Sequence, residues 1–176
     1  MGFTPLEGLM MGTRSGSIDP GVLLYLLDQG MTSAQLRHLL DAESGLLGLS
    51  GLSGDMRDVL HAMAIGNQQA RLAIDVYVHR LRAGIGAMLA TLGHLDAVVF
   101  TGGVGEHAAP IRQAACDAFG FLNLYLDHAL NATNPHDADV ATTASAVRVV
   151  VIEAQENWAM AQECLRWAAD NQPSVL

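Results

Sequence analysis

Between Asn67 and Leu92 the apolar side chains of Ile74, Tyr77, Val78, Leu81, Ile85, Met88, Leu89 and Leu92 recur at intervals of three and four. Arg71, Asp75, His79 and Arg82 share the other face. This period predicts one long amphipathic α-helix, and the rest of the chain has to pack around it. Gly84 and Gly86 lie inside it, each costing about 1 kcal/mol relative to alanine. Tight packing against another backbone would explain them, as would a short break. The strand formers Asp96–Thr101 follow, ending in Gly102-Gly103-Val104-Gly105. Glu106 then opens a helix with the stripe Ile111, Ala114, Ala115, Ala118 and Phe119, stopped by Gly120. Leu122–Leu126 and Val147–Ile152 read as two further strands, with a polar, turn-rich stretch from Asn131 to Ser145 between them and a closing helix over Glu156–Asp170. Strand, helix, strand, strand, helix after a helical N-terminal part argues for an α/β layered domain with a mixed sheet.

Asp19-Pro20 supplies a helix cap with proline at the first helical position, and Val22, Leu23, Leu26 and Leu27 form its stripe up to Gly30. Thr32 or Ser33 caps a second helix through Leu36, Leu39 and Leu40, with Gly45 beyond its end. The uncharged, glycine-rich Gly45–Gly54 reads as a loop, after which Asp55 caps another helix to about Ile65. Met1–Gly21 holds five glycines with little periodicity, a composition suited to close backbone approach to a ligand.

At 176 residues the chain suits one domain, or one lobe of a larger enzyme. Only 15% of residues are charged, against about 25% in an ordinary soluble domain, so material for a core is ample and disorder is excluded. The 9 basic against 18 acidic side chains give a net charge of −9 with no basic cluster, which argues against nucleic acid as a partner. All nine cations are arginines; the absence of lysine excludes a P-loop lysine, a Schiff base and a lysine general base within this chain. The longest uncharged apolar stretch, Ala83–Leu95, has 13 residues, against the roughly 20 that a membrane span requires. With no basic segment before an apolar run at the N-terminus, a cytoplasmic protein is expected. Cys116 and Cys164 have neither metal nor CxxC spacing and read as buried thiols. The histidines form no metal-ligating spacing, and the His136-Asp137-Ala138-Asp139 cluster follows Asn134-Pro135 as a turn.

A strand running through Gly102-Gly103-Val104-Gly105 into a helix brings backbone N–H groups and a positive helix end to one point, as an anionic phosphate requires. It matches neither the dinucleotide fingerprint nor the P-loop, and a plain tight turn accounts for it equally well. More specific is the segment Met1-Gly-Phe-Thr-Pro-Leu-Glu-Gly-Leu-Met-Met-Gly-Thr-Arg-Ser-Gly-Ser-Ile-Asp-Pro20, which closely resembles the second signature of the acetate kinase family. Gly51-Leu-Ser-Gly-Asp-Met-Arg57 resembles that family's adenosine-side loop. Phe100-Thr-Gly-Gly-Val-Gly-Glu106 is similar to its Phe-Thr-Gly-Gly-Ile-Gly-Glu, and the strand Val147–Ile152 followed by Glu156 resembles its last strand and helix start.

The resemblance implies a ribonuclease H-like lobe of the actin, sugar-kinase and acetate-kinase superfamily. Residues 1–176 would be the C-terminal, nucleotide-binding and dimerisation lobe, without the N-terminal lobe that holds the acyl pocket and a second phosphate loop. It implies ATP or ADP with Mg²⁺, phosphoryl transfer to acetate or propionate, and pairing into a homodimer through this lobe. By the same resemblance Arg14 would stabilise the transition state, and an arginine that forks onto phosphoryl oxygens suits that task. Asp55, Met56 and Arg57 would hold the adenosine, although Asp55 also reads as a simple helix cap. Gly103, Val104, Gly105, Glu106 and His107 would lie under the phosphates, and Glu156 would serve the magnesium or simply occupy an acidic first turn. Ser17 stands where the family signature has aspartate, and His107 where it has asparagine. Because no residue here would supply the acyl pocket or the second phosphate loop, the isolated chain is expected to be inactive or nearly so. Two alternatives stay open: a non-enzymatic nucleotide-binding and dimerisation remnant, and a kinase completed by a separate N-terminal lobe. A mean hydropathy of +0.27 favours a chain that seeks a partner surface.

Overall fold

The computed structural model describes residues 2–170. Helix α1 (Pro20–Asp28) starts on the Asp19 cap, whose carboxylate accepts from the Gly21 N–H. In α2 (Ser33–Ala42), Thr32 and Gln35 close a capping box. Then come α3 (Gly45–Ser50), α4 (Met56–Ala64) and the long α5 (Gln68–Leu92). Strand β1 (Ala97–Phe100) leads into α6 (Gly102–His107), α7 (Ala109–Cys116), a 3-10 helix over Asp117–Leu122, and α8 (His128–Ala132). Strands β2 (Ala138–Asp139) and β3 (Arg148–Val151) precede α9 (Glu156–Asp170). The sheet order is β1-β3-β2; β3 runs parallel to β1, from Ala97 opposite Arg148 to Phe100 opposite Val151, and antiparallel to β2. The other edge of β1 carries no strand among the described residues, and Val99 on that strand is 58% exposed.

Helix α5 is unbroken and borders two cores. Its first half buries Ala70, Ala73, Ile74 and Val78 against Leu46, Met56, Val59 and Ile111. Farther along, Leu81, Ile85 and Leu89 pack on the sheet-side core of Phe100, Phe119, Val149 and Val151. The two glycines in it do not mark a close backbone crossing: a Cβ on Gly86 would meet nothing within 4 Å, and one on Gly84 would only touch the Leu9 side chain at 3.5 Å. By contrast, α1 and α9 bury none of their side chains, and Leu24, Tyr25, Trp158 and Leu165 are each more than half exposed.

Four expectations need correction. Gly45–Gly54 is not a loop at its start, because α3 is capped from outside. The N–H groups of Leu46 and Leu47 donate to the carbonyls of Met11 and Gly12, both at 2.9 Å, and Ser44 N–H donates to Thr13 O at 2.9 Å. Those carbonyls satisfy first-turn donors that a short glycine-containing helix cannot serve itself. Leu122–Leu126 is not a strand: the 3-10 helix runs to Leu122, and only Leu126 makes a bridge, to Ala141. The helix expected from Glu106 begins earlier, at Gly102, and breaks at Ala108. Pro110 lacks an N–H and would clash with the carbonyl of Glu106 four residues back, so the helix must restart. Finally, Cys164 is exposed; only Cys116 is buried, and burial pushes its thiol up to about 12.

Gly45 sits at φ +64°, and a Cβ there would lie 2.2 Å from Met11 O and 2.8 Å from Arg14 O. Gly45→Ala should lose about 2–4 kcal/mol, combining a left-handed backbone penalty with overpacking. Gly86→Ala should gain about 1 kcal/mol from helix propensity. Urea unfolding midpoints of the two variants, moving in opposite directions, check both.

Candidate functional site

Two neighbouring cavities meet on α6. The first, of about 400 Å³, is lined by Gly54, Asp55, Met56, Arg57, Leu60, Gly103, Val104, His107 and Ala108. It joins the start of α4 to one side of α6, segments some fifty residues apart in sequence. The second, of about 470 Å³, is lined by Gly102, Gly103, Glu106, Glu153, Ala154, Gln155, Glu156, Asn157 and Trp158. It joins α6 to the end of β3 and the start of α9. Each volume falls within the roughly 300–1,000 Å³ of small-molecule sites.

Asp55 is both cap and ion partner. Its Oδ1 accepts from the Arg57 N–H at 2.8 Å, and the Arg57 guanidinium grips the carboxylate through Nε at 3.0 Å and Nη2 at 2.5 Å. These bonds lower the Asp55 carboxyl from its ordinary 3.8 to about 2, the side-chain bond from Arg57 being the largest influence. On α6 the glycines are not explained by packing. A Cβ on Gly102 or Gly103 would meet nothing within 4 Å, although Gly102 needs glycine for its φ of +73°. The space beside Gly103 is therefore open to a ligand. Gly105 differs: its Cβ would press on Phe100 C at 3.3 Å, so it faces β1 and lines neither cavity.

Glu106 is buried, and its Oε1 accepts from the N–H of Gly102 at 2.7 Å and of Ala154 at 2.9 Å. These donors, Ala154 first, hold its carboxyl below the usual range against the opposing effect of burial. Its charge is spent tying the start of α6 to the β3–α9 connection. The next first-turn donors of α6, Gly103 and Val104 N–H, belong to the cavity-lining residues. His107 stands edge-on to His136, with ring centroids 5.9 Å apart.

Arg14 lines neither cavity. Its backbone is held by Met11 N–H donating to its carbonyl at 3.1 Å, and its guanidinium makes no hydrogen bond or ion pair among the described residues. The neighbouring Ser17 hydroxyl donates to Glu7 Oε1 at 2.7 Å, closing the loop on itself. Sequence reasoning missed Glu153, which faces the second cavity with Glu156, and Arg112, which lies wholly buried behind α6. Arg112 shares a helix face with Ala115, Cys116 and Phe119, an apolar setting that could have drawn notice.

A model of the acetokinase family matches residues 1–162. The chain belongs to that family. An acetate kinase of Nostoc punctiforme is 63% identical over 165 residues, which are 93% of this chain and 41% of that protein. One of Gloeobacter violaceus is 58% identical over the same shares. The crystal structure of Porphyromonas gingivalis acetate kinase superposes with a TM-score of 0.88 at 38% identity, covering 94% of this chain and 42% of that one. These acetokinase neighbours bear out the α/β fold. The chain thus spans about two-fifths of the length of the relatives it matches. Among the described residues no helix is long and apolar enough to cross a membrane.

Asp55 should titrate near 2 in the folded chain and near 3.8 once unfolded. Its pairing with Arg57 therefore favours the fold above about 3.8 and is lost as the pH falls through 2. A carboxyl-carbon NMR titration checks the midpoint, and Arg57→Ala should return it toward 3.8.

Proposed function

We propose that these residues form the nucleotide-binding part of a carboxylate kinase that moves the terminal phosphoryl group of ATP to acetate or propionate, giving an acyl phosphate and ADP. The observation that carries the reading is the union of Asp55, Met56 and Arg57 with Gly103, Val104 and His107 around one cavity, in a chain of the acetokinase family. In this reading the Asp55 carboxylate accepts from ribose hydroxyls and the Arg57 stem flanks the adenine. The phosphates run along the open face of Gly103, where the N–H groups of Gly103 and Val104 meet them, toward the second cavity.

A magnesium ion would ride on the nucleotide. No group of three or more His, Cys, Asp or Glu side chains suited to a metal occurs among the described residues. That fits an ion that is usually held by only one or two carboxylates plus phosphate oxygens, and Glu156 and Glu153 supply such carboxylates. The ion would neutralise phosphate charge. Arg14, with its guanidinium unspent, is the group we assign to the equatorial oxygens of the transferring phosphoryl. The acyl pocket is assigned to the part of the relatives' length that these residues do not span, so the 176 residues alone should bind nucleotide without turning it over. The unburied apolar helix α1 also favours pairing with a second copy, the binding and dimerisation role that would remain without catalysis.

Calorimetric titration with MgADP tests the reading. Saturable binding that Arg57→Ala weakens by about tenfold or more supports it, since the truncation removes both the stem against the adenine and the grip on the Asp55 carboxylate. Absence of saturable binding, or an Arg57→Ala variant that binds as well as the parent, overturns it.

A further inference from the structure

Arg112 is fully buried, with 0% of its surface exposed, and no carboxylate pairs with it among the described residues. Its five N–H donors instead find five neutral oxygens. Nε donates to Asn131 Oδ1 at 2.7 Å, and Nη1 donates to Gly105 O at 2.8 Å and Glu106 O at 2.7 Å. Nη2 donates to Asn131 O and Asn134 Oδ1, both at 2.9 Å. Asn131, itself 1% exposed, donates from Nδ2 to Ala109 O at 3.0 Å.

Burying an unpaired cation is expensive, and an apolar side chain would fill the same volume more cheaply. What the arginine secures must therefore be a geometry. Glu106 O is the carbonyl that Pro110 deprives of its helical donor, and Arg112 replaces that donor from two residues farther along. Helix α6 has six residues, three of them glycine. A helix that short does not hold itself together in water, so its position is set by what grips its ends. Glu106 holds the front by Gly102 N–H. Arg112 holds the rear by the last-turn carbonyls, where a cation also opposes the negative helix end.

We infer that Arg112, anchored by Asn131 and Asn134, is a positioning residue: it sets α6 so that Gly103 and Val104 meet the phosphate side of the nucleotide. The inference rests on the proposed nucleotide site. It predicts a selective defect. Adenosine would touch chiefly the Asp55–Arg57 side, which Arg112 does not contact, whereas ADP would also depend on α6.

The test compares MgADP and adenosine by calorimetry on the full chain, its Arg112→Lys variant and its Asn134→Gly variant. Glycine suits position 134, where φ is +48°. The preference for ADP over adenosine should fall by about tenfold in Arg112→Lys and by about threefold in Asn134→Gly, with adenosine affinity kept within about twofold. Equal losses for both ligands, or an unchanged preference, overturn the inference. Should Arg112→Lys fail to fold, Asn134→Gly alone decides by the same criterion. Should the parent chain bind neither ligand, the nucleotide reading fails, and amide hydrogen exchange decides the positioning. Exchange at Gly103–His107 rising about tenfold more than in α5 upholds it, and a uniform rise refutes it.

Discussion

Pro110 is the constraint around which the centre of the molecule is organised. By denying Glu106 O a helical donor it splits what the apolar periodicity alone would make one helix, and the two halves can then point differently. The first half, α6, faces both cavities; the second, α7, returns to the core through Ile111 and Ala115. The orphaned carbonyl is answered by the buried Arg112, and that guanidinium recruits Asn131 from within α8 and Asn134 from just beyond it. One missing backbone hydrogen thus accounts for a buried charge, a buried amide and the docking of a separate helix.

The N-terminal segment is fixed by a comparable exchange of backbone groups. Carbonyls of Met11, Gly12 and Thr13 close the start of α3, while Ser15 N–H donates to Leu40 O at 3.1 Å. The 11–15 segment has no regular structure of its own, and the end of α2 and the start of α3 offer it their otherwise unpaired helix-end groups. The Arg14 main chain is held in this clasp, and its side chain is not consumed by it. The role proposed for Arg14 draws on that combination of fixed root and free head, since an unpaired guanidinium can meet an anion without first breaking a bond.

Much of the outline was legible from periodicity and capping chemistry. The Asp19-Pro20 start, the Thr32–Gln35 box and the long run from Gln68 to Leu92 are local signals, and local physics settled them. What escaped was decided by distant partners. Gly45–Ser50 has loop composition and becomes helical because carbonyls more than thirty residues earlier cap it. Leu122–Leu126 has strand composition, but its hydrogen bonds to the 142–146 stretch are irregular and it makes a β-bridge only at Leu126. At the candidate site, the residue types of the 55–57 and 103–107 segments were readable as motifs, but their meeting was not. Nor did the motif show that Glu106 turns its carboxylate inward or that Gly105 makes room for Phe100.

The bare flank of β1 has a consequence for the chain in solution. Its four residues, Ala-Val-Val-Phe, carry no charge, proline or bulge, and a lysine guard of the kind that often blunts such flanks is impossible in a chain without lysine. Mutual repulsion from the net charge of −9 is then what opposes association through this particular flank at neutral pH. That repulsion vanishes near the isoelectric point of about 5.0, so mild acid is where molecules can zip together through this flank and leave solution.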